Sequence, residues 1–147
     1  MTAMNAEQRE QRSWDLLLAA WIVALLSTFG ALFIGEVMGR APCNLCWFQR
    51  AFMFPLAVML AVACYTSDTG VWRYALPVAA LGWLVAFYHS LLYLGAIPAG
   101  LEPCGAGTSC SSADMLVFGW LPIPLLSLGA FTAITGLLVV VRRRFIA

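Results

Sequence analysis

The residues of this sequence that could do chemistry are cysteines, set out in two local pairs. The stretch APCNLCWFQR, residues 41–50, holds Cys43 and Cys46 with two residues between them, and Arg50 follows one helical turn after Cys46. Cys104 and Cys110 form the second pair, C-G-A-G-T-S-C, in a run rich in Gly, Pro and Ser. Thiolate is the species that attacks a disulfide. A Cys-x-x-Cys at a helix start favours it, because free backbone N–H groups and the neighbouring thiol draw a cysteine pKa down toward neutrality. Two other readings are weaker. A structural staple across two residues closes almost no chain, and in the entropic account a disulfide stabilises more as its loop lengthens. A zinc site would suit four cysteines in two pairs, yet no histidine stands at ligand spacing in either stretch; no metal is expected.

Arg50 shares a helix face with Cys46 at a spacing of four. It stands in the first turns of an apolar helix, where the dipole disfavours a cation, and a charge in such a segment marks function by default. It either snorkels toward lipid headgroups or attracts the Cys46 thiolate and an oxygen-rich ligand beside it. His89, the single histidine, is expected at a similar depth. It is either an interfacial residue without a role or a carrier of protons, since imidazole titrates near neutrality. Cys64 lies about 27 Å from Cys46 along one helix at 1.5 Å per residue. It reads as an inert membrane cysteine, packing as a small hydrophobe.

What must position these groups is a membrane bundle. The 147 residues are 63% hydrophobic and only 10% charged, with a mean hydropathy of +0.89, whereas a soluble domain is about 25% charged. Eight arginines against seven acids leave a net charge of +1 and no footprint for nucleic acid. Four apolar stretches approach the roughly 20 residues a bilayer-crossing helix needs: Trp14–Ile34, Trp47–Cys64, Trp72–Leu94 and about Ile123–Val141. Backbone groups in lipid must be satisfied internally, so these are helices. The fold expected is all-α, a four-transmembrane-helix bundle in a single membrane domain over residues 1–147. The first stretch is longer than a signal-peptide core and lacks a small-x-small cleavage site, so it is expected to remain as an anchor.

The arginines orient the bundle. Arg9, Arg12, Arg73 and Arg142 to Arg144 fall on the side of the termini, and only Arg40 and Arg50 on the other. By the positive-inside rule both termini are expected to be cytoplasmic. Loops 35–46 and 95–122, with both cysteine pairs, are then external, where thiols tend to be oxidised. The second loop carries no apolar periodicity and reads as mobile.

The motifs CNLCWFQR before an apolar helix, a histidine late in helix three, a cysteine pair in the second external loop and PIPLLSL opening helix four together resemble the DsbB family. That family comprises quinone-dependent, disulfide-generating proteins of the bacterial inner membrane. The resemblance runs from about residue 14 to 141, and the compact Cys104–Cys110 spacing is similar to its Gram-positive BdbC branch. It implies an enzyme that re-oxidises a soluble thioredoxin-fold thiol oxidase of the DsbA or BdbD type. Electrons would pass through Cys104–Cys110 and then Cys43–Cys46 to ubiquinone or menaquinone. Residue by residue, it implies a mixed disulfide between Cys104 and the partner, exchange of Cys110 with Cys43, and Cys46 facing the quinone. Arg50 would bind a quinone carbonyl and His89 would lie near the ring. The vitamin K epoxide reductase-like class also joins two cysteine pairs to a quinone, but places its Cys-x-x-Cys after the loop pair. A non-enzymatic scaffold with structural loop disulfides is the reading from outside enzymology.

Overall fold

In a computed structural model, which describes residues 6–98, 116–117 and 119–146, the four apolar stretches form four helices long and apolar enough to cross a membrane. Helix α1 spans Ala6–Leu32 and runs on into a π-helical turn, Phe33–Val37. Helix α2 spans Asn44–Thr66, and a 3₁₀ turn, Thr69–Val71, leads into α3, Trp72–Tyr93. Two short strands, β1 (Leu116–Val117) and β2 (Leu121–Pro122), pair antiparallel ahead of α4, Ile123–Ile146.

The helices close into a ring in which α1 and α3 each pack against both α2 and α4. Among the described residues, Arg9 Nη2 donates to the Arg144 carbonyl at 3.3 Å, which brings the two ends of the chain to one end of the bundle. Between membrane helices there is little hydrophobic drive, so close backbone approach through small residues does the work. On α3, Ala75, Ala79, Gly82 and Ala86 are buried at helical spacing. They receive Phe131, Ile134, Leu138 and Val141 of α4, all buried in the same core. At Gly82 the Phe131 ring occupies the place a Cβ would take. The outer faces carry Ile22, Val58, Val62, Leu81, Leu84 and Phe87, all exposed in the isolated chain and suited to lipid.

Three boundaries differ from the sequence reading. Helix α1 begins at Ala6 rather than Trp14, because AEQREQR is built from good helix formers and continues the helix past its apolar part. Helix α4 likewise continues to Ile146 with Arg143 and Arg144 in its last turn, where cations meet the negative end of the dipole. Residues 35–46 are not one loop: the π-helical turn takes the first of them, and Cys46 already belongs to α2. The β1–β2 hairpin was not expected in the second loop.

Candidate active site

The cysteine pair is made by the start of α2. Cys43 is the N-cap, with extended φ −70° and ψ 169°, and its carbonyl accepts the first helical hydrogen bond from Trp47 N at 3.1 Å. Cys46 is then the third residue of the helix, and the two Sγ atoms lie 3.2 Å apart. Both sulfurs therefore sit at the positive end of the α2 dipole, among N–H groups that have no intrahelical acceptor. Cys43 is 1% exposed, packed with Leu45 and Leu92 and against Tyr88 and Tyr93. Cys46 is less covered, and it opens onto a cavity.

That cavity, of about 650 Å³, lies between α1, α2 and α4. Leu26, Ala31, Ile34, Met53, Leu126 and Phe131 supply much of its wall, and its polar lining includes Cys46, Gln49, Arg50 and Arg40. Arg50 Nη2 donates to the Ala31 carbonyl of α1 at 2.7 Å, and its guanidinium carbon lies 5.4 Å from the centre of the Trp47 ring. The π-helical turn explains the opening for it. There Met38 N bonds to the Phe33 carbonyl, five residues back, at 3.0 Å. Insertions of this kind disturb the regular ladder and are frequent at functional sites. Gly35 makes the close approach possible: a Cβ there would stand 2.9 Å from Arg50 Nη2 and 3.3 Å from Nη1. A helix start is a poor place for a cation, and a carbonyl from the neighbouring helix offsets that cost.

His89 enters from α3 on the other side of the pair. It is 0% exposed, with Nε2 3.9 Å from Cys43 Sγ. Its other nitrogen, Nδ1, is 3.0 Å from Gln49 Nε2, and Gln49 is itself 5% exposed. One residue along, Ser90 Oγ donates to the Ala86 and Pro124 carbonyls at 2.8 and 3.2 Å, tying α3 to the start of α4. The histidine thus addresses Cys43, while Cys46 and Arg50 address the cavity.

His89, distant in sequence, comes together with Cys43, Cys46 and Arg50. Cys104 and Cys110 lie outside the described residues. Cys64 stands at the other end of α2, where its carbonyl accepts from Trp14 Nε1 at 3.0 Å. The two site sulfurs and an imidazole nitrogen fall within 4.8 Å of one another. A sulfur separation of 3.2 Å, however, is shorter than the roughly 3.7 Å kept by two thiolates at 2.3 Å on a tetrahedral zinc. The spacing suits sulfur–sulfur chemistry better.

Three residues were missed from the sequence: Gln49, Gly35 and Arg40, whose Nη1 donates to the Leu116 carbonyl of β1 at 3.0 Å. Gln49 had a usable signal, a lone amide in an apolar helix three residues after Cys46 and so on its face. Gly35 had none, because nothing local announces an arginine arriving from another helix.

Residues 11–141 match the family described as Disulfide bond formation protein DsbB. The chain is 62% identical over 133 residues to the "Probable disulfide formation protein" of Metapseudomonas resinovorans, covering 90% of this chain and 92% of that one. It is 39% identical over 118 residues to "Disulfide bond formation protein C" of Bacillus subtilis, covering 80% and 86%. To the "Probable disulfide formation protein" of Deinococcus radiodurans it is 41% identical over 138 residues, covering 87% and 89%. No solved structure shows a significant match. With its helix-capping Cys-x-x-Cys at the mouth of a four-helix bundle, the chain belongs to the DsbB family of disulfide-forming membrane oxidoreductases.

Proposed function

We propose that this protein is a quinone-dependent thiol oxidase of the bacterial inner membrane that re-oxidises a soluble thioredoxin-fold dithiol oxidase of the DsbA or BdbD type. The observation that carries the reading is that Cys46 and Arg50 line one largely apolar cavity between the helices. A quinone is a planar ring with two acceptor oxygens and an apolar body. The cavity answers that chemistry with apolar walls and with guanidinium groups, which are donors only; Arg50 has five N–H donors and gives one to Ala31. A lipid-borne oxidant reaches only residues at membrane depth and a soluble partner only a loop, so two cysteine pairs solve a problem of reach.

In this reading Cys104 takes the mixed disulfide with the partner and Cys110 exchanges with Cys43. Cys46 is then left as a thiolate on the cavity wall, at the helix N-terminus and beside Arg50. Oxidising the pair back to a disulfide releases two electrons and two protons, and a bound quinone supplies their acceptor. Arg50 orients that acceptor and holds the thiolate charge. The termini are cytoplasmic and the cysteine pairs extracytoplasmic.

The test is quinone reduction by the purified protein given a reduced DsbA-like partner, with ubiquinone and menaquinone tried separately. One quinone should be consumed per partner disulfide made, and Cys104→Ala should stop partner oxidation. Partner oxidation without quinone consumption would remove the reading. For orientation, impermeant thiol reagents applied to intact reduced cells should label Cys104 and Cys110 and spare Cys64.

A further inference from the structure

The proposed function uses Cys46 and Arg50 but gives no role to two buried polar side chains, His89 and Gln49, although Gln49 also reaches the cavity wall; both concern the other cysteine. His89 Nε2 lies 3.9 Å from Cys43 Sγ, while Gln49 Nε2 lies 3.0 Å from His89 Nδ1. An amide and an imidazole this deeply buried, 5% and 0% exposed, are costly unless hydrogen-bonded to each other or to something of use. A neutral imidazole has one donor and one acceptor nitrogen, and the partner of one decides the role of the other. With the amide N–H of Gln49 directed at Nδ1, that nitrogen is the acceptor and the proton resides on Nε2. The Nε2–H then points to sulfur.

We infer that Gln49 is a positioning residue: it fixes the tautomer of His89 so that Nε2–H donates to the Cys43 thiolate. This inference rests on the reading that Cys43 is a working cysteine, and it divides the site by sulfur. Cys46 is stabilised from the cavity side by Arg50, and Cys43 from the α3 side by His89. The division has a chemical reason. Re-oxidising the pair joins the two sulfurs while both thiols lose their protons and two electrons leave to the quinone of the proposed function, so Cys43 too has to become a thiolate, yet it is walled from the cavity and its arginines. Among the described residues, the other groups facing Cys43 do not replace the imidazole. Cys46 is a like charge when ionised, and Tyr88 and Tyr93, which pack against this cluster from α3, offer a phenol and no cation. Arg40 and Arg50 belong to the cavity on the Cys46 side.

The experiment uses the full chain with Cys46, Cys64, Cys104 and Cys110 changed to Ser, leaving Cys43 as the single thiol. Thiolate is read by its ultraviolet absorbance against pH, with Cys43→Ser added as the blank. In this parent, His89→Ala should cut the thiolate fraction at neutral pH about tenfold, the effect of losing one hydrogen bond to a charged group. Gln49→Met keeps the length and loses the amide, and should cut it by a similar factor. Gln49→Met with His89→Ala should be no worse than His89→Ala alone, because Gln49 acts only through the histidine. Unchanged thiolate in Gln49→Met, or multiplied losses in the double variant, overturns the proposal. The absorbance needs neither quinone nor partner, so a failed quinone assay with the expected thiolate pattern would sink the oxidase reading and leave this one standing.

Discussion

The two ends of the bundle both lay arginine on tryptophan, and they put the pair to different uses. At the end holding the termini, the Arg142 guanidinium carbon is 5.4 Å from the Trp72 ring centre and that of Arg73 is 5.9 Å from it. Arg73 also stands 5.5 Å from Phe145, whose ring meets Trp72 edge-on. Both arginines are exposed, and an aromatic belt with snorkelling cations is what a membrane interface selects. At the cysteine end Arg50 lies 5.4 Å from Trp47, nearly the same contact. The ring is therefore not what sets it apart. What does is the Ala31 carbonyl at 2.7 Å, the close approach to Gly35 and the shared cavity with Cys46. The arginines at the terminus end lie exposed against rings, whereas Arg50 is clamped between helices.

The sharpest break between the two ends should come from cysteine. Cys46→Ser removes the thiolate on the cavity wall, so disulfide formation and quinone reduction should fall to background. Cys64→Ser, at the far end of the same helix, should leave turnover within about twofold, since a half-buried helix position away from special features tolerates such a change. Partner oxidation followed with both variants checks this; a matched loss in Cys64→Ser would mean that the far end takes part.

Arginine gives the next largest contrast. Arg50→Lys keeps the charge and loses the planar multi-donor fork. Hydrogen bonds to charged groups contribute about 1.5–3 kcal/mol, and about 1.4 kcal/mol is a factor of ten. The expected result is a roughly 10- to 150-fold rise in the apparent KM for quinone, with exchange at Cys104–Cys110 intact. Arg142→Lys should leave that KM alone. Near-normal kinetics in Arg50→Lys would return Arg50 to the anchoring class and dissolve the contrast.

This contrast also marks how far the sequence could be read. The four helices were legible because burial in lipid imposes long apolar runs that no other constraint produces. Cys43, Cys46 and Arg50 were legible because their relation is local, about two turns of one helix. His89 was visible as the lone histidine, but its direction was not. The structure sets its Nε2 against Cys43, a matter of how α3 rotates against α2. Arg40 reaching Leu116, 76 residues away, and Gly35 beneath Arg50 depend on tertiary approach alone. The polar continuations of α1 and α4 lack the apolar signal that marks a membrane span, so the helices extend beyond the spans.

Gly35 gives a smaller effect that tests the clamp directly. Gly35→Ala puts a Cβ 2.9 Å from Arg50 Nη2, so the guanidinium must move by a few tenths of an ångström, which a flexible side chain can do. Weakening one hydrogen bond by about 0.5–1.5 kcal/mol predicts a roughly 2- to 12-fold higher KM for quinone at 1.4 kcal/mol per decade. Gly136→Ala on α4, where a Cβ meets nothing within 4 Å, is the control and should not move it. If Gly35→Ala is silent while Arg50→Lys is not, the arginine matters but its seat on the π-helical turn does not.

The smallest effect is expected at the anchoring end, and it completes the comparison from the other side. Exposed cation–π contacts are worth about 0.5–1 kcal/mol, and Arg142 makes one with Trp72, while the packing of Trp72 on Phe145 remains without it. Arg142→Gln should therefore lower stability to thermal or detergent unfolding by no more than that amount. Six arginines stand on the terminus side against two on the other, so removing one leaves the charge bias that orients the bundle intact. Impermeant labelling of the cysteines should be unchanged. Quinone KM and the thiolate fraction at Cys43 should also stay at their parent values, because no residue at this end lines the cavity. The decisive measurement is the pair of readouts on one preparation: unfolding for the anchor and quinone kinetics for the site. A raised quinone KM in Arg142→Gln with unaltered unfolding would show the two ends to be coupled, and the division between anchoring and working arginines would then have to be drawn elsewhere.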